Sequence, residues 1–182
     1  MELACAKLNL GCGRRLIEGA TNLDMCPDVN PDLVHDLNQR PWPLPDGEFE
    51  EVLAYDVIEH CCDLVGVMEE VHRVCRDAAI VRITVPHFSC SNTFADPTHR
   101  HAFTSRSFEY FTDEAEFDFY TRCRFRRRAT NIVFAPTLLN KLVWRIANRW
   151  PREYERRWAW VFPAWFIYCE LEVVKTVEGR AS

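Results

Sequence analysis

Three histidines and an acid stand close together between Pro86 and Phe111, in PHFSCSNTFADPTHRHAFTSRSFEYF: His87, His99, His101 and Asp96. Histidine ionises near neutrality, so each could take a proton from an acceptor group or return one. His60 ends an earlier stretch, VIEH, and is a fourth candidate, although it could equally cap the start of the next helix. The same histidines, with Cys90, carry donors that suit a transition metal, and His-x-His can chelate from a strand or loop. No C-x-x-C or H-x-x-x-H spacing supports a dedicated site, so no metal, and no effect of a chelator, is expected.

A second group of chemistry-bearing residues lies near the start, in KLNLGCGRRLIEGATNLDM from Lys7 to Met25. Gly11 and Gly13 let the backbone approach a ligand closely, and Asp24 closes the next strand-like run. An acid there can accept hydrogen bonds from both hydroxyls of a ribose. In a dinucleotide site the acid comes later, and a full helix points its N-terminus at pyrophosphate. Here only Arg14 to Gly19 separates the two strands, so the spacing suits a ligand with a ribose and no pyrophosphate, as S-adenosylmethionine is. A plainer role for Asp24 and Asp36 is the capping of strand-end turns.

Positioning these groups requires a sheet. Strand-like runs fall at Leu8–Leu10, Thr21–Leu23, Leu33–His35, Glu51–Tyr55 and Ala79–Val85. Leu64 to Cys75 has helical periodicity, with Leu64, Val67, Met68, Val71, Val74 and Cys75 on one face. Alternating strands and helices predict a mostly parallel, doubly wound α/β sheet with right-handed crossovers. Pro41, Pro43 and Pro45 forbid helix between Leu37 and Asp46. Past Arg122 the chain reads as a long strand, then a helix with Leu139, Leu142, Val143, Ile146 and Trp150 on one face, then a last strand from Phe166. Two late strands joined by a helical excursion predict an antiparallel edge on the sheet.

The ordered motifs LNLGCG, NLDM, VHDL and LPDGEFEEVLAYDVIEH resemble the class I S-adenosylmethionine-dependent methyltransferases, and within them a small bacterial branch with a shortened first helix. The resemblance covers Leu8 to Pro86 and implies a Rossmann-like fold. It implies that Gly11, Cys12 and Gly13 line the methionine end of the cofactor and that Asp24, with Met25 beside it, holds the ribose. Asp36 and the Leu37 amide would read the adenine edge, and Tyr55 and Asp56 would close on the amino-acid end. Asn9 replaces the usual acid of the first motif, which predicts a weaker grip on the ammonium group. Asp96-Pro97-Thr98-His99 also resembles a motif of this branch and favours His99, helped by Asp96, as the group that orients or deprotonates the acceptor. Methyl transfer from a sulfonium needs alignment and desolvation more than a nucleophilic residue.

A chain of 182 residues, 48% hydrophobic and 27% charged, is expected to form one domain over 1–182. Its halves are a cofactor-binding part, 1–86, and an acceptor-side part, 87–182. No apolar run approaches the ~20 residues of a membrane span, and no signal pattern opens the chain. Nine scattered cysteines then predict free thiols in a cytoplasmic protein. The net charge is −5, yet residues 121–160 hold 11 of the 22 Lys+Arg. Those cations could be solvated faces, or could dock an anionic acceptor, RNA or a membrane surface beside Trp144, Trp150, Trp158, Trp160 and Trp165. With an acidic whole and no separate RNA-binding module, nucleic acid is not expected as partner; peripheral membrane contact stays open, as does the oligomeric state. The expected function is methyl transfer to an O, N or S atom of a small molecule, walled by Phe88, Phe94, Phe103, Phe108, Tyr110 and Phe111. The rival readings are an RNA or protein methyltransferase and a non-catalytic cofactor-binding module.

Overall fold

A computed structural model describes residues 6–113, 121 and 123–175. Seven strands form one sheet: β1 (Lys7–Leu10), β2 (Ala20–Asp24), β3 (Leu33–Val34), β4 (Phe49–Tyr55), β5 (Cys75–Pro86), β6 (Arg124–Val133) and β7 (Phe166–Val174). Their order is β3-β2-β1-β4-β5-β7-β6. The first five are parallel, and β7 runs antiparallel between β5 and β6. This is the mostly parallel sheet with an antiparallel edge that the segment order predicts. The order winds outward both ways from the β1–β4 step, and ligand clefts in such sheets open at the strand ends beside that step.

The first crossover contains no α-helix. Arg14 to Gly19 pass from β1 to β2 as turns, braced by Asn22, whose carboxamide accepts from the Ile17 amide at 2.8 Å. The second crossover holds only a short 3-10 turn at Pro27–Val29. A full helix, α1 (Leu64–Val74), precedes β5; Asp63 caps it, accepting from the Gly66 amide at 3.0 Å. Its Val67, Met68, Val71 and Val74 are buried against the sheet, each worth about 1.5–3 kcal/mol. The helix ends one residue sooner than its periodicity predicts, because Cys75 is already extended and pairs with Phe49. Trp42 anchors the proline-rich loop in the core, its amide donating to Glu70 at 2.7 Å and its indole to the Leu37 carbonyl at 3.1 Å.

Between β5 and β6 lie a short helix, α2 (Asn92–Ala95), and a 3-10 turn at Ser107–Phe111. Between β6 and β7 the chain leaves the sheet through α3 (Leu138–Arg149) and α4 (Pro151–Arg157). A satellite core of Ile132, Phe134, Ala147, Tyr154, Ala159 and Ala164 holds that excursion. The apolar stripe of α3 does not face it: only Ala147 is buried, Val143 is partly buried, and Leu139, Leu142, Ile146 and Trp150 are exposed. Strict two-residue alternation would set Arg122, Arg124, Arg126 and Arg128 on one face of a strand. A bulge between Arg127 and Ala129 spoils the alternation, and Arg126 and Arg128 both pair with Glu172; Arg122 lies outside the described residues. Among the described residues no helix is long and apolar enough to cross a membrane.

Candidate active site

The loop after β1 turns through Gly11 and Gly13, with φ of +57° and +50°. A Cβ on Gly11 would stand 2.2 Å from Val57 Cγ2, whereas one on Gly13 would meet nothing within 4 Å. Gly11 is therefore needed for space and conformation, Gly13 for conformation alone. The loop is pinned to β2: Cys12 donates its amide to the Leu23 carbonyl at 3.0 Å and Gly13 donates to Asp24 Oδ2 at 2.8 Å. The other Asp24 oxygen accepts from the Cys26 amide at 2.9 Å. Asn9 is buried, its Nδ2 donating to the Arg15 carbonyl and to Asn22 Oδ1.

Two recesses flank this loop. One is lined by Asn9, Gly11, Cys12, Tyr55 and Asp56 together with Arg14 and Arg15, two cations that sequence reasoning did not place there. The other is lined by Gly11, Asp24, Met25, Asp36, Leu37 and Asp56, with Asn38 and His60 beside them. The cofactor-binding residues expected from the sequence thus surround one divided cleft, and Gly13 joins it through Asp24. Asp36 is oriented by Asn38, whose backbone and side-chain nitrogens both donate to Oδ1. Burial raises the Tyr55 phenol above its ordinary pKa.

A third cavity, about 750 Å³, adjoins them and is lined by Asp56, Glu59, His60, Asp96, His99, Trp165 and Phe166 among others. Asp56 belongs to all three spaces. It holds a left-handed backbone, φ +53°, and accepts from the Thr84 hydroxyl at 3.1 Å. His99 Nε2 stands 3.9 Å from Asp96 Oδ2 and 4.0 Å from Glu59 Oε1, and the His60 and His99 ring centroids are 4.8 Å apart. The Arg100 amide donates to the Glu59 carbonyl at 2.8 Å and so clips the two segments together. Burial pushes the Glu59 carboxyl up to about 7; its own amide opposes this, while Asp56 and Asp96 add to it. Asp96 is held below the usual carboxylate range by the Thr98 hydroxyl and amide.

His87 and His101 do not line this cavity. His87 is fully buried, with its Nδ1 toward Ser89 and its Nε2 3.4 Å from Glu155 Oε1. His101 donates from Nε2 to the Cys61 carbonyl at 2.8 Å. Both brace the loop rather than face an acceptor, because the chain doubles back through a bridge between His87 and Phe103. The expected aromatic wall is corrected likewise: Phe103, Phe108 and Phe111 belong to the core and Phe94 is exposed. Trp165 and Phe166, from the start of β7, take that place. Glu59 was missed; its signal was the Asp-x-x-Glu-His spacing after β4, which sets Asp56, Glu59 and His60 on one turn.

No family model and no curated protein matches the chain. Solved structures do match. A SAM-dependent methyltransferase from Archaeoglobus fulgidus superposes with a TM-score of 0.65 at 16% identity, over 92% of this chain and 86% of that one. One from Mesorhizobium loti gives 0.57 at 12%, over 92% and 90%. A cyclase, SpnF, gives 0.60 at 14%, over 94% and 76%. The fold is therefore that of the class I methyltransferases.

Proposed function

We propose that the protein transfers a methyl group from S-adenosylmethionine to an O, N or S atom of a small-molecule acceptor held in the 750 Å³ cavity. The observation that carries this reading is the sharing of Asp56 by the divided cleft and the cavity, which brings cofactor and acceptor spaces to one residue. The residues present fit the cofactor: Gly11 leaves a cradle that a Cβ would close, Asp24 offers acceptors for ribose hydroxyls, and no helix N-terminus is provided for a pyrophosphate. Asp36 and the Leu37 amide would take the adenine edge, and Arg14 and Arg15 the carboxylate. When bound, the cofactor supplies a sulfonium methyl; the acceptor lone pair forms the new bond as the carbon–sulfur pair returns to sulfur.

What the chain itself does is bind, orient and receive a proton. His99 donates from Nδ1 to the Thr93 carbonyl at 3.2 Å, so in the neutral ring Nε2 is the nitrogen that carries the lone pair. That lone pair, with the Asp96 and Glu59 carboxylates beside it, is the natural destination for the acceptor's proton. Two of the β6 arginines, Arg126 and Arg128, already share Glu172, which weakens their attraction for a macromolecular anion. A screen of small acceptors, RNA and protein for S-adenosylhomocysteine release, run beside calorimetry of cofactor binding, tests the reading. Turnover with small acceptors alone supports it. Cofactor binding with no release from any acceptor would replace it by a binding module or, as the cyclase neighbour shows for this fold, by other chemistry.

A further inference from the structure

The cavity wall carries Asp56, Glu59 and Asp96 with His60 and His99, and among the described residues no lysine or arginine lines it. Glu59 is 1% exposed, and its Oε2 has no hydrogen-bond partner among the described residues. A buried carboxylate oxygen left unpaired is costly, and a cation compensates it. We infer that Glu59, His60 and His99 bind a divalent first-row metal ion, which takes an oxygen or nitrogen of the acceptor as a further ligand.

One donor atom from each of the three lies within 4.8 Å of the others. Ligands about 2.1 Å from a shared ion sit roughly 3–4 Å apart, so side-chain adjustments of about an ångström close the site. Both imidazoles are already held as ligating histidines are, by a hydrogen bond from the second nitrogen. His99 uses Nδ1 on the Thr93 carbonyl, which can only accept. Thr98 donates its hydroxyl to Asp96 at 2.6 Å, so its oxygen accepts from His60 Nδ1 at 2.8 Å. In the neutral form of each ring Nε2 is then the nitrogen that can ligate. Two imidazoles and a carboxylate suit zinc, manganese, iron or cobalt better than calcium, and leave coordination positions open.

The inference deepens the methyl-transfer reading and rests on it for the ion's role, although not for its binding. A metal-bound hydroxyl or amine loses its proton more readily. With the metal bound, the proton passes to water as the acceptor coordinates and His99 Nε2 serves as ligand; the proton-accepting role of His99 is that of the metal-free protein. The test is titration of the chelator-stripped protein with Co²⁺, read by visible d–d absorption, with S-adenosylhomocysteine calorimetry on the same samples. A single Co²⁺ per chain is expected, displaced by Zn²⁺. Glu59→Gln and His99→Ala should each weaken it at least about 100-fold, and Thr98→Val about 10–100-fold, with circular dichroism and S-adenosylhomocysteine affinity unchanged. No cobalt spectrum, or one indifferent to all three substitutions, overturns the metal site, and so does a site filled only by a cationic amine acceptor. Loss of S-adenosylhomocysteine binding in the parent would instead sink the cofactor reading and leave the metal standing.

A separate observation concerns the excursion between β6 and β7. On α3, Leu138, Leu139, Leu142, Ile146 and Trp150 occupy one exposed sector of about 120°. Lys141 and Arg145 form the exposed sector next to it, Arg149 projects within its edge, and none of the three makes an ion pair among the described residues. Trp158, Trp160 and Val161, which follow α4, are exposed as well, and Trp165, half exposed, lines the 750 Å³ cavity. We propose that this face docks on an anionic phospholipid surface. The adjoining cations and tryptophans are the complement of anionic headgroups and the interfacial zone. Flotation with phosphatidylglycerol and phosphatidylcholine vesicles tests it. Binding should require the anionic lipid, weaken with salt, and fall about fivefold for each of Arg145→Gln and Arg149→Gln. Leu139→Gln with Leu142→Gln should release the protein from vesicles while turnover of a soluble acceptor is kept. Equal affinity for both lipids, binding to neither, or a dimer that those leucine changes dissolve would overturn the proposal.

Discussion

The amide of Gly13 donates to Asp24 Oδ2 at 2.8 Å, so the acid that ends β2 also holds the glycine loop in place. Loop and acid are therefore one device. Asp24→Ala should weaken S-adenosylmethionine binding by about 1.5–3 kcal/mol, the scale of a charge-assisted hydrogen bond. Unchanged affinity in the folded variant, by calorimetry, would remove Asp24 from the cofactor site.

The two loop glycines should respond differently to the same change. Gly11→Ala combines a left-handed backbone with a Cβ 2.2 Å from Val57, and should cost more than about 2 kcal/mol. Gly13→Ala meets no neighbour and should cost about 1–2 kcal/mol from conformation alone. Urea denaturation of the pair gives the comparison. Equal losses would show that Val57 yields to the methyl group.

Glu70 sets part of the acid limit of stability. Burial pushes its carboxyl up, but the Arg73 guanidinium and the Trp42 amide outweigh it and hold it below the ordinary carboxylate value. A depressed folded-state pKa contributes stability that is present above the unfolded value, near 4.5, and is lost as pH falls through the folded one. Glu70→Gln should lower stability at neutral pH by about 1–3 kcal/mol and flatten the fall below pH 4.5. Denaturation midpoints at pH 7 and pH 3.5 that shift equally would contradict this.

Eight cysteines are free among the described residues, and Cys5 lies outside them. Burial drives the Cys61 and Cys75 thiols up to about 12, which removes the reactive thiolate. Native alkylation should therefore modify exposed Cys62 first and partly exposed Cys26 next. Unfolding without reductant should then open every remaining thiol to the reagent. Mass spectrometry that finds an unmodified pair would mean a disulfide.

Strand positions, the parallel sheet and its antiparallel edge were legible because short apolar runs, glycine turns and one well-formed helical period follow the backbone directly. The residues around the divided cleft, Gly11, Asp24, Asp36 and Asp56, lie at or just past strand ends, so their coming together follows from the same strand runs. The acceptor side depended on how a long loop folds back. His87, His99 and His101 are neighbours in sequence, yet only His99 reaches the cavity, and its companion Glu59 comes from the far end of β4. The stripe on α3 shows a different limit. Periodicity reveals that a face is apolar and leaves open what covers it. The β6 arginines show a third, since one bulge residue redirects the side chains and Glu172, on another strand, pairs with two of them.

Val133 and Phe166 face each other across β6 and β7, and the Trp165 amide donates to the Val133 carbonyl at 2.8 Å. The chain thus leaves the sheet and returns to it at hydrogen-bonded neighbours, and residues 134–165 are a cassette inserted in a hairpin. Because closure entropy grows only slowly with loop length, cassettes of other sizes can be exchanged there without moving the strand register. The exchange is not silent for the rest of the molecule. Glu155 accepts from the Ser105 amide at 2.6 Å, and the Ala164 amide donates to Ser89 Oγ at 3.1 Å. Both partners sit in the segment that carries His99, so recombination at this hairpin exchanges the exposed α3 face and shifts the supports of the His99 segment in a single event.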